Sequence, residues 1–208
     1  MKTPRDKVAV VTGGGSEPAE VTREELHFRR IDMRGWRRSD GLFEIEGRVV
    51  DRKPFEFRPP SGPRVVGADK PVHDLGVRLV FDADRVIREV HTFSAAYPYE
   101  ECPGGGASLQ ALVGLRIGAG WSSEVRKRLP PSETCTHLRE LLLPLASAAF
   151  QSLAPFGDHN AVDAEGRSPL INSCYAYGDS RKIVLQRWPA FHRPEAGEAA
   201  PGPKKEHP

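Results

Sequence analysis

The hydrophobic period of this chain changes near Pro98, and that change limits the fold more than any other feature. Before it, apolar residues alternate. Leu75, Val77, Leu79 and Phe81 share one parity, Asp82-Ala83-Asp84 makes a turn, and Val86 to Ser94 returns. A period of two marks a half-buried strand. Further upstream, Asp40-Gly41 separates two runs of the same kind, a strong local hairpin signal. Antiparallel strands are therefore predicted near residues 25–34, 42–51, 75–81 and 86–94. Pro59, Pro60, Pro63 and Pro71 mark a loop over 58–72. In the first strand Leu26, Phe28 and Arg30 fall on one side, and His27, Arg29 and Ile31 on the other.

Beyond Pro98 the spacing becomes helical. Leu109, Leu112, Val113 and Leu115 predict one helix after Gly104-Gly105-Gly106, and Trp121 to Leu129 a short second one. Leu138, Leu141, Leu142, Leu145, Ala149 and Leu153 recur at i, i+3, i+4 and i+7, the pattern of a main helix. Pro144 lies inside it, where a proline removes one backbone hydrogen bond and predicts a kink. Ser173 to Tyr177 and Ile183 to Trp188 flank Gly178-Asp179-Ser180 and read as a terminal hairpin. Strands first and helices after give an α+β class, an antiparallel sheet packed against C-terminal helices. The expected core sets Phe28, Phe43, Ile45, Val77, Leu79, Phe81, Ile87 and Phe93 against Leu112, Leu141, Leu142 and Leu145.

At 208 residues the chain suits one domain with tails. A flexible arm is expected over residues 1–21, a single domain over 22–193 and a disordered tail over 194–208, which holds no large apolar residue. Val8 to Val11 followed by Thr12-Gly13-Gly14-Gly15 opens like a short-chain dehydrogenase. The later glycine of a dinucleotide fingerprint and the Tyr-x-x-x-Lys pair are both missing, so an extended arm is the better reading. Thirty Lys and Arg against 28 Asp and Glu leave a net charge of +2, which argues against a polybasic nucleic-acid binder. No apolar run is long enough for a membrane span, and no secretory signal is evident. Three cysteines are too few for a disulfide scaffold, so a cytoplasmic protein with reduced thiols is expected.

The candidate chemistry lies at junctions between elements. Cys102 sits between the last strand and the first helix, and Cys135 opens the main helix. Helix N-termini favour thiolate over thiol, and thiolates are metal ligands. His73 and Asp74 enter the third strand, and His137 lies two residues past Cys135. These five residues, His73, Asp74, Cys102, Cys135 and His137, form the candidate metal site, for a zinc or iron ion or a metal–sulfur centre. No pair has C-x-x-C spacing, and a single cysteine is ordinarily a small buried hydrophobe. A thiol enzyme is the second reading, with Cys135 as nucleophile, His73 as the better placed base and Cys174 to resolve an oxidised Cys135. An interaction module with inert cysteines is the third. Arg29, Arg30, Arg34, Arg37 and Arg38 are the densest basic stretch, with acidic neighbours near enough to make a salt-bridged face.

Several motifs together carry a resemblance. They are Trp36-Arg37-Arg38-Ser39-Asp40-Gly41-Leu42, Val72-His73-Asp74-Leu75, Leu112-Val113-Gly114, Gly120-Trp121, Cys135-Thr136-His137-Leu138-Arg139-Glu140, Ala149-Phe150-Gln151 and Cys174-Tyr175-Ala176. With Cys102 they resemble the bacterial domain-of-unknown-function family 2889, a name that implies no activity. Thr134 stands where that family is expected to carry Gly. More distantly, the order His73-Asp74, strand, turn, strand, Cys102, helices, Cys135, long helix is similar to the NifU/IscU/SufU iron–sulfur scaffold. That resemblance implies a NifU/IscU-like core with an added N-terminal hairpin. Cys102 would match the second cysteine, Cys135 the third and Asp74 the acidic residue, with His73 near the place of the first cysteine. A histidine there preserves zinc or iron binding but departs from a two-iron cluster.

Overall fold

The computed structural model of the chain describes residues 22–61, 64–157 and 162–194. The expected arm, 1–21, and all but the first residue of the expected tail, 194–208, lie outside them. Two compact units divide at Ser152/Leu153.

The first unit is built on four antiparallel strands in sequence order, β1 Phe28–Arg37, β2 Phe43–Arg52, β3 Pro71–Phe81 and β4 Ile87–Ala96. The turn at Gly41, whose φ is +87°, joins the first pair, as Asp-Gly predicts. The sheet's register explains its inner face. Phe43 pairs with Phe81, Ile45 with Leu79, Gly47 with Val77 and Val49 with Leu75. Because side chains alternate, these residues share one side, and all six apolar side chains among the first three pairs and Leu75 are buried.

Helices cover that face. A 3-10 helix, Cys102–Leu112, is followed by α1, Trp121–Arg128, and α2, Thr136–Leu153. The buried stripe of α2 is Leu138, Leu141, Leu142, Leu145, Ala146 and Ala149, as its spacing predicts. Two glycines allow α2 to lie close to the sheet. A Cβ on Gly47 would come within 2.9 Å of Met33 Sδ and 3.1 Å of Leu145 Cγ, and one on Gly35 would run into Ser152. The helix continues through Pro144. The sheet packed on helices is the expected α+β class.

Parity corrects two expected core positions. Phe28 faces Arg52, one residue out of phase with the inner face, and is exposed. Phe93 pairs with Gly76 on the outer side, where its ring covers the space a Cβ would take. The remaining expected core residues are buried.

The second unit departs from the sequence reading. The expected terminal hairpin is absent among the described residues. Residues 173–181 are turns, and Lys182–Arg187 forms α3. Asn172 organises the turns: its N–H donates to the Tyr177 carbonyl and its Oδ1 accepts from the Asp179 N–H. A run as short as Ile183-Val184-Leu185 carries no periodicity that separates strand from helix. Among the described residues of this unit, Val184 and Ile171 are the buried apolar side chains.

Candidate metal centre

The inner face of the sheet does not end in apolar residues. One step beyond the Val49–Leu75 pair comes Asp51–His73, and Asp51 also faces Arg29 across β1. Strand parity therefore sets Arg29, Asp51 and His73 in one row, on the side that α2 covers. A register irregularity follows directly, between Asp51 and Arg52. The first turn of α2 supplies His137. Its start is set by Cys135, whose carbonyl accepts from the Arg139 N–H and whose N–H donates to the Gly105 carbonyl, both at 3.0 Å.

Asp51 is the hub. It is 1% exposed and is surrounded by basic side chains. Arg29 donates to its two oxygens from Nε at 2.8 Å and Nη2 at 2.9 Å, a bidentate pair. His27 Nε2 lies 3.2 Å from Oδ1. His73 Nδ1 lies 3.1 Å from Oδ2, and His137 Nε2 lies 3.8 Å from the same oxygen. The rings of His73 and His137 are in contact, with centroids 3.9 Å apart. On its far side Arg29 also donates to Glu140 at 3.1 Å, one turn along α2 from His137.

Protonation follows from this packing. Burial raises the Asp51 carboxyl, but the Arg29 hydrogen bonds and charge, joined by His73 and His27, hold it below the usual carboxylate range. Burial lowers His73, His137 lowers it further, and Asp51 compensates only in part, leaving it at about 4. Burial, then Arg29, also lowers His137. Near neutral pH both imidazoles are thus uncharged and the carboxylate is ionised, which are the forms a metal ion binds.

The donor spacing fits one ion. Two atoms each about 2.1 Å from a tetrahedral centre lie about 3.4 Å apart. The 3.1 and 3.8 Å separations at Asp51 Oδ2 bracket that value. Asp51, His73 and His137 offer ligand atoms that all lie within 4.8 Å of one another. In the empty site the neutral His73 ring carries its one proton on Nδ1, donated to Oδ2; an ion taken at Nδ1 would require the other tautomer, with that proton on Nε2. Arg29 opposes the ion by its charge, and Glu140 offsets Arg29.

Two clefts meet at the histidines. One, about 570 Å³, is lined by His73, Cys102, Cys135 and His137 together with Glu101 and Glu133. The other, about 310 Å³, is lined by His27, Arg29, Asp51, Lys53, Phe57 and Tyr99 among others. His73, Pro98, Tyr99 and His137 belong to both. Four of the five residues singled out in the sequence therefore reach one cleft. Both cysteines are half-buried there, but neither is in the close ligand group. Asp74 is elsewhere. One residue from His73, it points to the opposite side of the sheet, where Arg48 donates to it at 2.7 and 2.6 Å. Cys174 is exposed in the second unit. Asp51 was not among the sequence candidates. Its signal is parity: it continues the Phe43, Ile45, Gly47, Val49 series, a carboxylate in phase with a buried face. The arginine-rich stretch is paired with acids at Arg29–Asp51, Arg30–Asp32 and Arg38–Asp40.

A family model described as "Protein of unknown function (DUF2889)" matches residues 27–151, a span that holds Asp51, both histidines, Cys102 and Cys135. No curated protein and no solved structure matches the chain, and the resemblance to the NifU/IscU/SufU scaffold finds no support there. Among the described residues no helix is long and apolar enough to cross a membrane.

Proposed function

The chain belongs to the family of proteins of unknown function DUF2889, and we propose that this member binds a transition-metal ion, zinc or iron, through Asp51, His73 and His137. The observation that carries the reading is the placement of two imidazole nitrogens 3.1 and 3.8 Å from one buried carboxylate oxygen. Two histidines and a carboxylate suit zinc and ferrous iron alike. Three protein ligands leave a position open, and the clefts on either side of the histidines give it access. An open position is the mark of a catalytic rather than a purely structural ion.

The test is metal analysis of the full chain purified without a histidine tag, followed by zinc titration. One ion per chain is expected. His73→Ala, His137→Ala and Asp51→Asn should each abolish stoichiometric binding, with circular dichroism to confirm folding. Asp74→Asn should bind as the parent does. A parent chain that takes up no metal, or ligand variants that bind as well as the parent, would overturn the reading. Loss of metal in Cys135→Ser would move a ligand from the close group to the sulfur.

One observation favours a second reading. Asp51 orients His73 as a hydrogen-bonded imidazole base would be oriented, and Cys135 lines the same cleft. A thiol enzyme would then be alkylated selectively at Cys135 in metal-free protein, and His73→Ala would slow that alkylation.

A further inference from the structure

The two clefts that meet at the histidines differ in charge and in lining. Glu101 and Glu133 line the cysteine side. The other side carries Arg29 and Lys53 beside apolar walls from Phe57, Pro59, Val72 and Tyr99. Its walls are held in place. Phe57 and Val66 exchange both backbone hydrogen bonds, at 2.8 and 2.9 Å, and Pro59 and Val72 are buried. Lys53 Nζ sits 5.1 Å from the Phe57 ring centroid, at the junction of the apolar wall and the charged end.

From this asymmetry we infer that the smaller cleft takes a small organic anion, a carboxylate on an apolar or aromatic body, which reaches the open position of the metal from the Arg29–Lys53 side. The inference rests on the metal reading above. The charges favour it. Arg29 and Lys53 balance Asp51 and Glu140, so the charge of a bound divalent ion is left for the ligand to meet. The acidic cysteine side repels the same anion. Shape adds to charge: a cleft of about 310 Å³ is at the lower end of small-molecule sites, and its aromatic walls suit a flat apolar body.

The probe is benzoate, with benzamide as its neutral isostere, titrated calorimetrically into the zinc-loaded full chain. One benzoate per chain is expected, with benzamide about tenfold weaker. Chelation of the zinc should weaken benzoate by about tenfold or more. Lys53→Gln and Phe57→Leu should each weaken benzoate several-fold and leave zinc affinity unchanged. Equal binding of benzoate and benzamide, equal binding with and without zinc, or an unaffected Lys53→Gln variant would overturn the inference. Zinc affinity is read separately, in the absence of benzoate. No zinc uptake removes the metal centre and the inference with it. Zinc uptake without benzoate binding removes the inference alone.

Discussion

Asp51 gathers one arginine and three histidines around a buried carboxylate. Its neighbours make folding stability depend on pH with a definite sign. His73 titrates at about 4 in the folded chain and near its ordinary 6.5 when unfolded. Between those values the unfolded chain takes up a proton that the folded one refuses. Stability is therefore full above about pH 6.5 and falls as the pH drops toward 4, by on the order of 3 kcal/mol for this residue. His137 shifts the same way. Asp51, lowered in the fold, holds its contribution above the ordinary carboxylate range and loses it at more acid pH. Urea unfolding of metal-free protein at pH 7 and pH 4.5 should show this loss, and His73→Gln should flatten it. Equal stability at the two pH values would contradict the assignment. The two histidines were legible in the sequence because they sit where elements join. Asp51 was not, because a carboxylate at a strand end reads as solvated turn chemistry until the register shows which face it is on.

α2 turns the sheet into a site. Leu142 is fully buried in its stripe, so Leu142→Ala should cost about 2–5 kcal/mol in chemical denaturation. Zinc stoichiometry should stay at the parental value, since Leu142 is not in the ligand group. A cost below about 0.5 kcal/mol would mean that the helix packs by another face. β2 and α2 were readable because each buries one face, whereas β3 is buried on both and β1, with no buried residue, was readable from its alternation and the Asp40-Gly41 turn. The rest was not, for physical reasons. The glycine-rich stretch before Leu109 winds into a 3-10 helix from Cys102 onward, a tighter turn that the spacing of Leu109 and Leu112 does not announce. At Phe28 the inward parity belongs to Arg29 and not to the aromatic ring, because the buried Asp51 needs a cationic partner more than the face needs another apolar one. Near residue 175 the turns held by Asn172 replace the expected strands.

At the scale of the whole molecule, an ion held only by the folded chain stabilises it by mass action. Under the proposed metal reading, zinc at about 100 times its dissociation constant would add about 2.7 kcal/mol, a rise of several degrees in Tm. Thermal denaturation with and without zinc should show that rise in the parent and none in His137→Ala; a Tm indifferent to zinc in the parent would count against the centre. The row of Arg29, Asp51 and His73 also has a consequence in time. Each is 22 residues from the next, whereas Arg29 meets Glu140 across 111 residues. Synthesis runs from the N-terminus, so the first three strands leave the ribosome well before α2 exists. During that interval the proposed centre has only two of its three donors, Asp51 and His73. Only the finished chain can offer the third donor.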